Sequence, residues 1–199
     1  MDDYALVLYP DDPTVALETG VLEAALTELG LLAALLPPEK EQGRWFAAGE
    51  PLLELVTFLG CSPVISLAAV SSDNRFCRIH LPSPLPQPVC RVHQPKPRCP
   101  RCRSFDVDWY KLLPAWERDP LAVGWTCQIC GHKAPLHRLR FREEAGFGRT
   151  FVELWGIYPG EAVPGEALLD ALSQLTTTSW HWFYIHHTTP GTGLAHSPR

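Results

Sequence analysis

The alternation of apolar and polar positions divides the chain into two similar ends and a dissimilar middle. Near the start, Tyr4-Ala5-Leu6-Val7-Leu8-Tyr9 is an unbroken apolar run closed by Pro10, which predicts a short buried strand. Asp12-Pro13 offers an N-cap side chain followed by a proline suited to the first helical position. Leu22, Ala25, Leu26, Leu29 and Leu32 then recur at helical spacing, with Glu18, Glu23 and Glu28 left to face water. A second helix is predicted from Glu50-Pro51, with Leu52, Leu55, Val56 and Leu59 as its apolar stripe and Gly60 as its end. Pro63 to Leu67 and Phe76 to Leu81 read as strands.

The C-terminal end repeats this rhythm. Phe151 to Tyr158 reads as a strand, Gly160 to Gly165 as a loop, and Leu168, Ala171, Leu172 and Leu175 as the apolar stripe of a helix. Trp180 to His186 carries aromatics on both alternations and no Asp, Glu, Lys or Arg, which predicts a central strand buried on both sides. The segment 188–199, rich in Gly, Pro, Ser and Thr, reads as a disordered tail. In the middle, seven prolines between 82 and 100 predict an extended arm. Neither end alone offers enough apolar elements for a stable core. The expected organisation is a discontinuous body, 1–85 plus 149–187, interrupted by a proline-rich arm and a metal module over 86–148. The expected fold class is α+β: an α/β-like body with a mixed sheet, carrying an inserted all-β module.

Composition narrows the classes. With 46% apolar residues the chain supports a packed core, which excludes global disorder. The net charge of −5 hides an asymmetry: residues 90–150 hold twelve Lys/Arg against six Asp/Glu, and the remainder five against sixteen. Either the basic segment meets an anionic partner or it pairs with the acidic body. Met1-Asp2-Asp3-Tyr4 has no basic n-region, so no secretory signal is expected. The longest uncharged stretch, Leu55 to Ser72, is broken by Gly60 and Pro63 and suits a helix followed by a strand better than a membrane span. A cytoplasmic location with reduced thiols follows as the expectation.

Seven cysteines are too few for a disulfide scaffold, and four of them form two CxxC pairs. Cys99-Pro100-Arg101-Cys102 and Cys127-Gln128-Ile129-Cys130 are separated by 24 residues. Two intervening residues let both sulfurs of a pair face one ion across a tight turn, and two such turns complete a tetrahedral thiolate shell. Such a shell leaves no open position, so one structural zinc is expected from Cys99, Cys102, Cys127 and Cys130. A redox dithiol and an iron–sulfur centre are the alternatives for the same residues. Gly131 follows the second pair, where a left-handed residue lets the backbone bend round the metal. His132 and His137 lie close by but are not needed as ligands.

Over residues 97–143 the chain resembles the zinc-ribbon superfamily, on Cys99-Pro100-Arg101-Cys102 and Trp125-Thr126-Cys127-Gln128-Ile129-Cys130-Gly131. The resemblance implies two knuckles at the root of a β-sheet, with a hairpin extending between them. The 24-residue spacing and Glu117-Arg118-Asp119-Pro120 also resemble the ribbon of transcript-cleavage elongation factors, where two adjacent acidic residues at the hairpin tip assist metal-dependent RNA cleavage. Here Arg118 interrupts the acidic pair and only Asp119 matches, so the segment reads as a bend.

After the second knuckle, His137-Arg138-Leu139-Arg140-Phe141-Arg142, read as a strand, sets Arg138, Arg140 and Arg142 on one face. That ladder, with Arg91, Lys96, Arg98, Arg101 and Arg103 around the first knuckle, is a candidate surface for carboxylates or phosphates. Trp109, Tyr110, Trp116 and Trp125 either stack on bases or pack the module. Elsewhere, Cys61 in a helix-to-strand turn, with His80 or His186 as base, is the one conceivable nucleophile, and burial as a small apolar residue is its ordinary fate. His181, His186 and His187 are too spread along an extended strand to chelate one ion. No phosphate loop, GxSxG, HExxH or dinucleotide fingerprint occurs. The sequence therefore favours a binding or adaptor protein with a protein partner. A nucleic-acid-binding factor is the alternative, and an enzyme of unrecognised type the third reading.

Overall fold

A computed structural model describes residues 2–38, 42–60, 77–85, 87–92, 96–105 and 108–188. The strand expected over 63–67, the candidate Cys61 and residues 189–199 lie outside the described residues. In chain order the elements are β1 (Asp2–Pro10), α1 (Thr19–Glu28), β2 (Leu32–Leu35), β3 (Gly43–Ala48), α2 (Leu52–Leu55), β4 (Val56–Phe58), β5 (Arg78–Pro82) and β6 (Val89–Val92). They continue with α3 (Leu113–Arg118), β7 (Gly124–Thr126), β8 (Lys133–Pro135), β9 (Ala145–Gly148), β10 (Val152–Trp155), β11 (Ala162–Pro164), α4 (Glu166–Thr176) and β12 (Trp180–Thr188).

Six strands form one sheet in the order β12-β1-β10-β5-β3-β2, drawn from both sides of the cysteine-bearing segment. Every pairing in it is antiparallel, so the class is α+β and the mixed, α/β-like sheet expected from the helical periodicity is corrected. The apolar run at the start sits between β12 and β10, and Ala5, Leu6, Val7 and Leu8 are fully buried. Its alternation splits two cores. Leu6 and Leu8 join Val152, Leu154, Ile79 and the apolar faces of the helices, Leu22 and Leu26 of α1, Leu52 and Leu55 of α2, Leu168 and Leu172 of α4. Ala5 and Val7 face the other way, with Trp45, Phe151, Trp155, Phe183 and Ile185, and the arm residues Leu85 and Val89 pack there. Each fully buried side chain of this size contributes about 1.5–3 kcal/mol relative to exposure.

Several boundaries differ from the sequence reading, each for a local reason. Asp12 does not start a helix: its Oδ1 accepts from the Thr14 N–H at 2.9 Å and the Thr14 hydroxyl at 2.7 Å, a side-chain turn that competes with helix, and α1 begins at Thr19. The second helix is a single turn, because Val56-Thr57-Phe58 pairs with Ala162–Pro164, a strand inside the expected loop. The strands β2 and β3 were not expected, since Leu32-Ala-Ala-Leu continues a helical pattern. Among the described residues, the expected central strand over 180–186 is an edge strand, paired within the sheet only to β1. Its side chains are buried on both faces of the sheet, Trp180 and Tyr184 on the helix side and Phe183 and Ile185 on the other, and residues 143–146 cover its outer edge. The Tyr184 N–H donates to the Glu143 carbonyl at 3.0 Å, and Gly146 of β9 comes so close that a Cβ there would lie 2.3 Å from the Phe183 ring. Thr188, first residue of the expected tail, is the last of β12.

The segment between the arm and β10 has its own core of Cys99, Trp109, Trp116, Trp125, Cys127, Leu136, Leu139, Phe141, Ala145 and Phe147. It is not all-β. A 3-10 turn at Trp109–Lys111 and α3 occupy the stretch between the cysteine pairs, where a hairpin was expected, because the two tryptophans anchor helical turns into this core. β7 and β8 pair across the second cysteine turn, and β6 pairs with β9. No described helix is long and apolar enough to cross a membrane.

Candidate metal centre and the basic surface beside it

The two CxxC turns have the same backbone plan. In the first, the Cys99 N–H donates to the Ser104 carbonyl at 3.0 Å and the Arg103 N–H to the Cys99 carbonyl at 2.9 Å. In the second, the Cys127 N–H donates to the His132 carbonyl at 2.8 Å and the Gly131 N–H to the Cys127 carbonyl at 2.9 Å. The residue four beyond the first cysteine is left-handed in both turns, Arg103 at φ 63° and Gly131 at φ 67°. The glycine was legible as a bend. The arginine in the equivalent place was not.

These turns bring Cys99, Cys102, Cys127 and Cys130 together, with all four sulfurs within 4.8 Å of one another. Cys99 Sγ lies 3.7 Å from Cys130 Sγ, and Cys102 Sγ 3.6 Å from Cys127 Sγ. A tetrahedral shell with Zn–S near 2.3 Å has edges of about 3.8 Å, so the donor set and its spacing fit one structural zinc ion. His132 supplies a carbonyl to the turn, and neither it nor His137 joins the cluster. Ser104, which sequence reasoning missed, sits against two of the sulfurs, its Oγ 3.2 Å from Cys102 Sγ and 3.4 Å from Cys127 Sγ. That hydroxyl is the main influence pulling the Cys127 thiol down to about 6, and it lowers Cys102 as well. Hydrogen bonding to thiolates in this way steadies a ligand shell from outside.

Among the described residues, two cysteines lie outside the cluster, Cys77 buried and Cys90 half-buried. Burial pushes Cys77 up to about 12 and raises Cys90 strongly. His80 is buried, and because Cys61 lies outside the described residues its pairing with that thiol is not described. The His80 ring stacks on Trp45 with centroids 4.2 Å apart, and its Nδ1 lies 2.9 Å from Glu153 Oε2. His186 stacks on Tyr4 at 4.2 Å, and His181 meets Asp11 at 2.9 Å.

The arginine ladder does not form as one strand. Leu136–Arg138 is a 3-10 turn, and Arg142 is left-handed at φ 52°. Arg138 turns to the body and pairs with Asp11 at 2.7 Å. Arg91 likewise leaves the knuckle and pairs with buried Glu153, which also accepts from Trp155 Nε1 at 2.9 Å. Arg140 and Arg142 instead join Arg98 and Arg103 around a pocket of about 140 Å³. None of these four arginines has an ion pair among the described residues. Burial first, then the charges of Arg142, Arg103 and Arg140, pull the Arg98 pKa below its ordinary value. Arg101 is exposed in the first turn and does not line the pocket. Trp109, Trp116 and Trp125 are core residues, so of the expected aromatics only Tyr110 is exposed, with Phe105 exposed beside Arg98. Glu117 lies in α3 and Asp119 caps its end, accepting from the Ala122 N–H at 3.3 Å, so no acidic hairpin tip forms.

The fold and the cluster define an α+β protein with a four-cysteine metal centre. Comparison with protein-family models, with curated proteins and with solved structures found no match to this chain.

Proposed function

We propose that this chain is a cytoplasmic binding protein in which a zinc-ribbon-like module, residues 86–148, is inserted into a body of residues 1–85 and 149–187 and presents a basic surface to an acidic partner protein. One observation carries the reading. Of the eight arginines in 86–148, Arg91 and Arg138 meet body carboxylates, whereas Arg98, Arg103, Arg140 and Arg142 line one pocket and have no ion pair among the described residues. Four guanidinium groups held together repel one another, which raises the energy of the free state and favours an anionic partner. Arg101 extends the same surface. The zinc is structural in this reading and no catalytic step is assigned.

Nucleic acid is the second reading, supported by exposed Phe105 and Tyr110 within the basic segment. Fluorescence anisotropy with labelled polyglutamate and with a single-stranded oligonucleotide, each over a salt series, separates the two. The zinc-loaded chain is expected to bind polyglutamate, and Arg140→Ser with Arg142→Ser to weaken it at least tenfold. Oligonucleotide binding alone, lost in the same variant, would replace the protein reading with the nucleic-acid one. Equal behaviour of wild type and variant towards both ligands would remove the binding function.

A further inference from the structure

We propose that the pocket lined by Arg98, Arg103, Arg140 and Arg142 is a binding site for a phosphate monoester dianion. This rests on the reading of the insert as a binding module and names the group it recognises.

The four residues come from separate points of the chain, and backbone contacts fix the main chain at three of them. The Arg98 N–H donates to the Arg140 carbonyl at 2.9 Å and the Arg140 N–H to the Arg98 carbonyl at 3.0 Å, which fixes these two arginines opposite each other. Arg103 is fixed by its bond to Cys99 in the first knuckle. Arg103 and Arg142 both occupy left-handed backbone, where a side chain costs energy that glycine would avoid. The knuckle itself requires left-handed backbone at 103, where the second turn has Gly131, yet an arginine stands there, and neither Arg103 nor Arg142 pairs with a carboxylate among the described residues. The Arg98 guanidinium lies over the Phe105 ring, 3.7 Å from its centroid, and its Nε is buried without a hydrogen-bond partner among the described residues. A buried donor left unmatched in this way is a site waiting for an acceptor oxygen.

Charge and size select the ligand. A zinc bound by four thiolates carries two negative charges, which offset two of the four arginines at most. The two positive charges left over match a monoester phosphate, at about −1.5 to −2, better than one diester unit of a nucleic-acid backbone, at −1. The four arginines line a single pocket, whereas a continuous backbone would require a groove. The pocket, at about 140 Å³, is well below the roughly 300–1,000 Å³ of sites that enclose a drug-sized molecule, and so takes the phosphate group alone. Planar guanidinium forks suit its tetrahedral oxygens. A phosphorylated side chain of the partner protein and a small free phosphate ester both present this chemistry.

Isothermal titration of the zinc-loaded full chain with inorganic phosphate, at constant ionic strength against chloride, tests the site. Saturable one-to-one binding is expected. Arg103→Gln with Arg142→Gln should weaken it at least tenfold with zinc retained, while Arg118→Gln, a charge removed elsewhere on the insert, should leave it unchanged. Phosphate indistinguishable from chloride would overturn the proposal, and so would equal affinity in the double variant. Free phosphoserine and a phosphoserine peptide then distinguish the source: tighter binding of the peptide assigns a partner protein, and equal binding a free ester. If polyglutamate binds and phosphate does not displace it, this inference falls while the binding-module reading stands. If neither binds, both fall.

Discussion

Ser104 shows what a single residue adds to the centre. Its hydroxyl faces two sulfurs from opposite turns, so Ser104→Ala should weaken zinc affinity about tenfold without unfolding the chain, read by competition with a chromophoric chelator. Unchanged affinity would reduce Ser104 to a spectator. Cys77 makes a second residue-scale claim. The folded chain holds its proton up to about 12, whereas an unfolded cysteine loses it near 9. Its contribution is therefore fully present below pH 9 and declines by about 1.4 kcal/mol per pH unit as the pH rises towards 12. Urea unfolding at pH 8 and pH 10 should show a shallower loss for Cys77→Ala than for wild type, and equal losses would contradict the burial argument. The four ligands were legible in the sequence because CxxC spacing is a local constraint. Ser104 and Glu153 were not. The first acts through a turn closed 23 residues later, and the second through His80 and Arg91, each more than 60 residues away.

At the scale of elements, the two knuckles share one backbone plan with different residues at the left-handed position. Gly131→Ala should cost about 1 kcal/mol, from backbone strain alone, because nothing lies within 4 Å of the added Cβ. Arg103→Gly should gain about as much stability while losing phosphate, a trade of binding for strain relief. Thermal unfolding of the zinc-loaded variants reads both, and a loss of stability in Arg103→Gly would mean that its side chain serves the fold instead. The strand at 4–9 and the helix at 166–176 were readable, because continuous burial and a 3.6-residue period are strong signals. β12 was misplaced for a physical reason: an edge strand covered by Glu143 and Gly146 carries the same aromatic burial as a central one. The one-turn α2 and the pair β4–β11 depend on contacts more than 100 residues apart, which periodicity does not report.

For the whole molecule, the basic segment 90–150 and the acidic remainder of the chain are complementary only in part. Asp11 and Glu153 each capture one arginine of that segment, Arg138 and Arg91, and the buried Glu153 is the more consequential. Glu153→Gln keeps the shape but removes the buried carboxylate charge that faces His80, Arg91 and Trp155, and should destabilise the chain by about 3 kcal/mol in urea unfolding; a change under 0.5 kcal/mol would show the network to be dispensable. The central claim is that one metal ion organises the core around Cys99, Cys102, Cys127 and Cys130. Elemental analysis of the purified chain with thiol titration tests it most directly. One zinc per chain is expected, with Cys99, Cys102, Cys127 and Cys130 protected until a chelator is added. In Cys99→Ser the metal and that core's tertiary signal should be lost together, because closed thiolate sites contribute directly to folding. A metal-free native chain with those four thiols freely titratable would contradict the account.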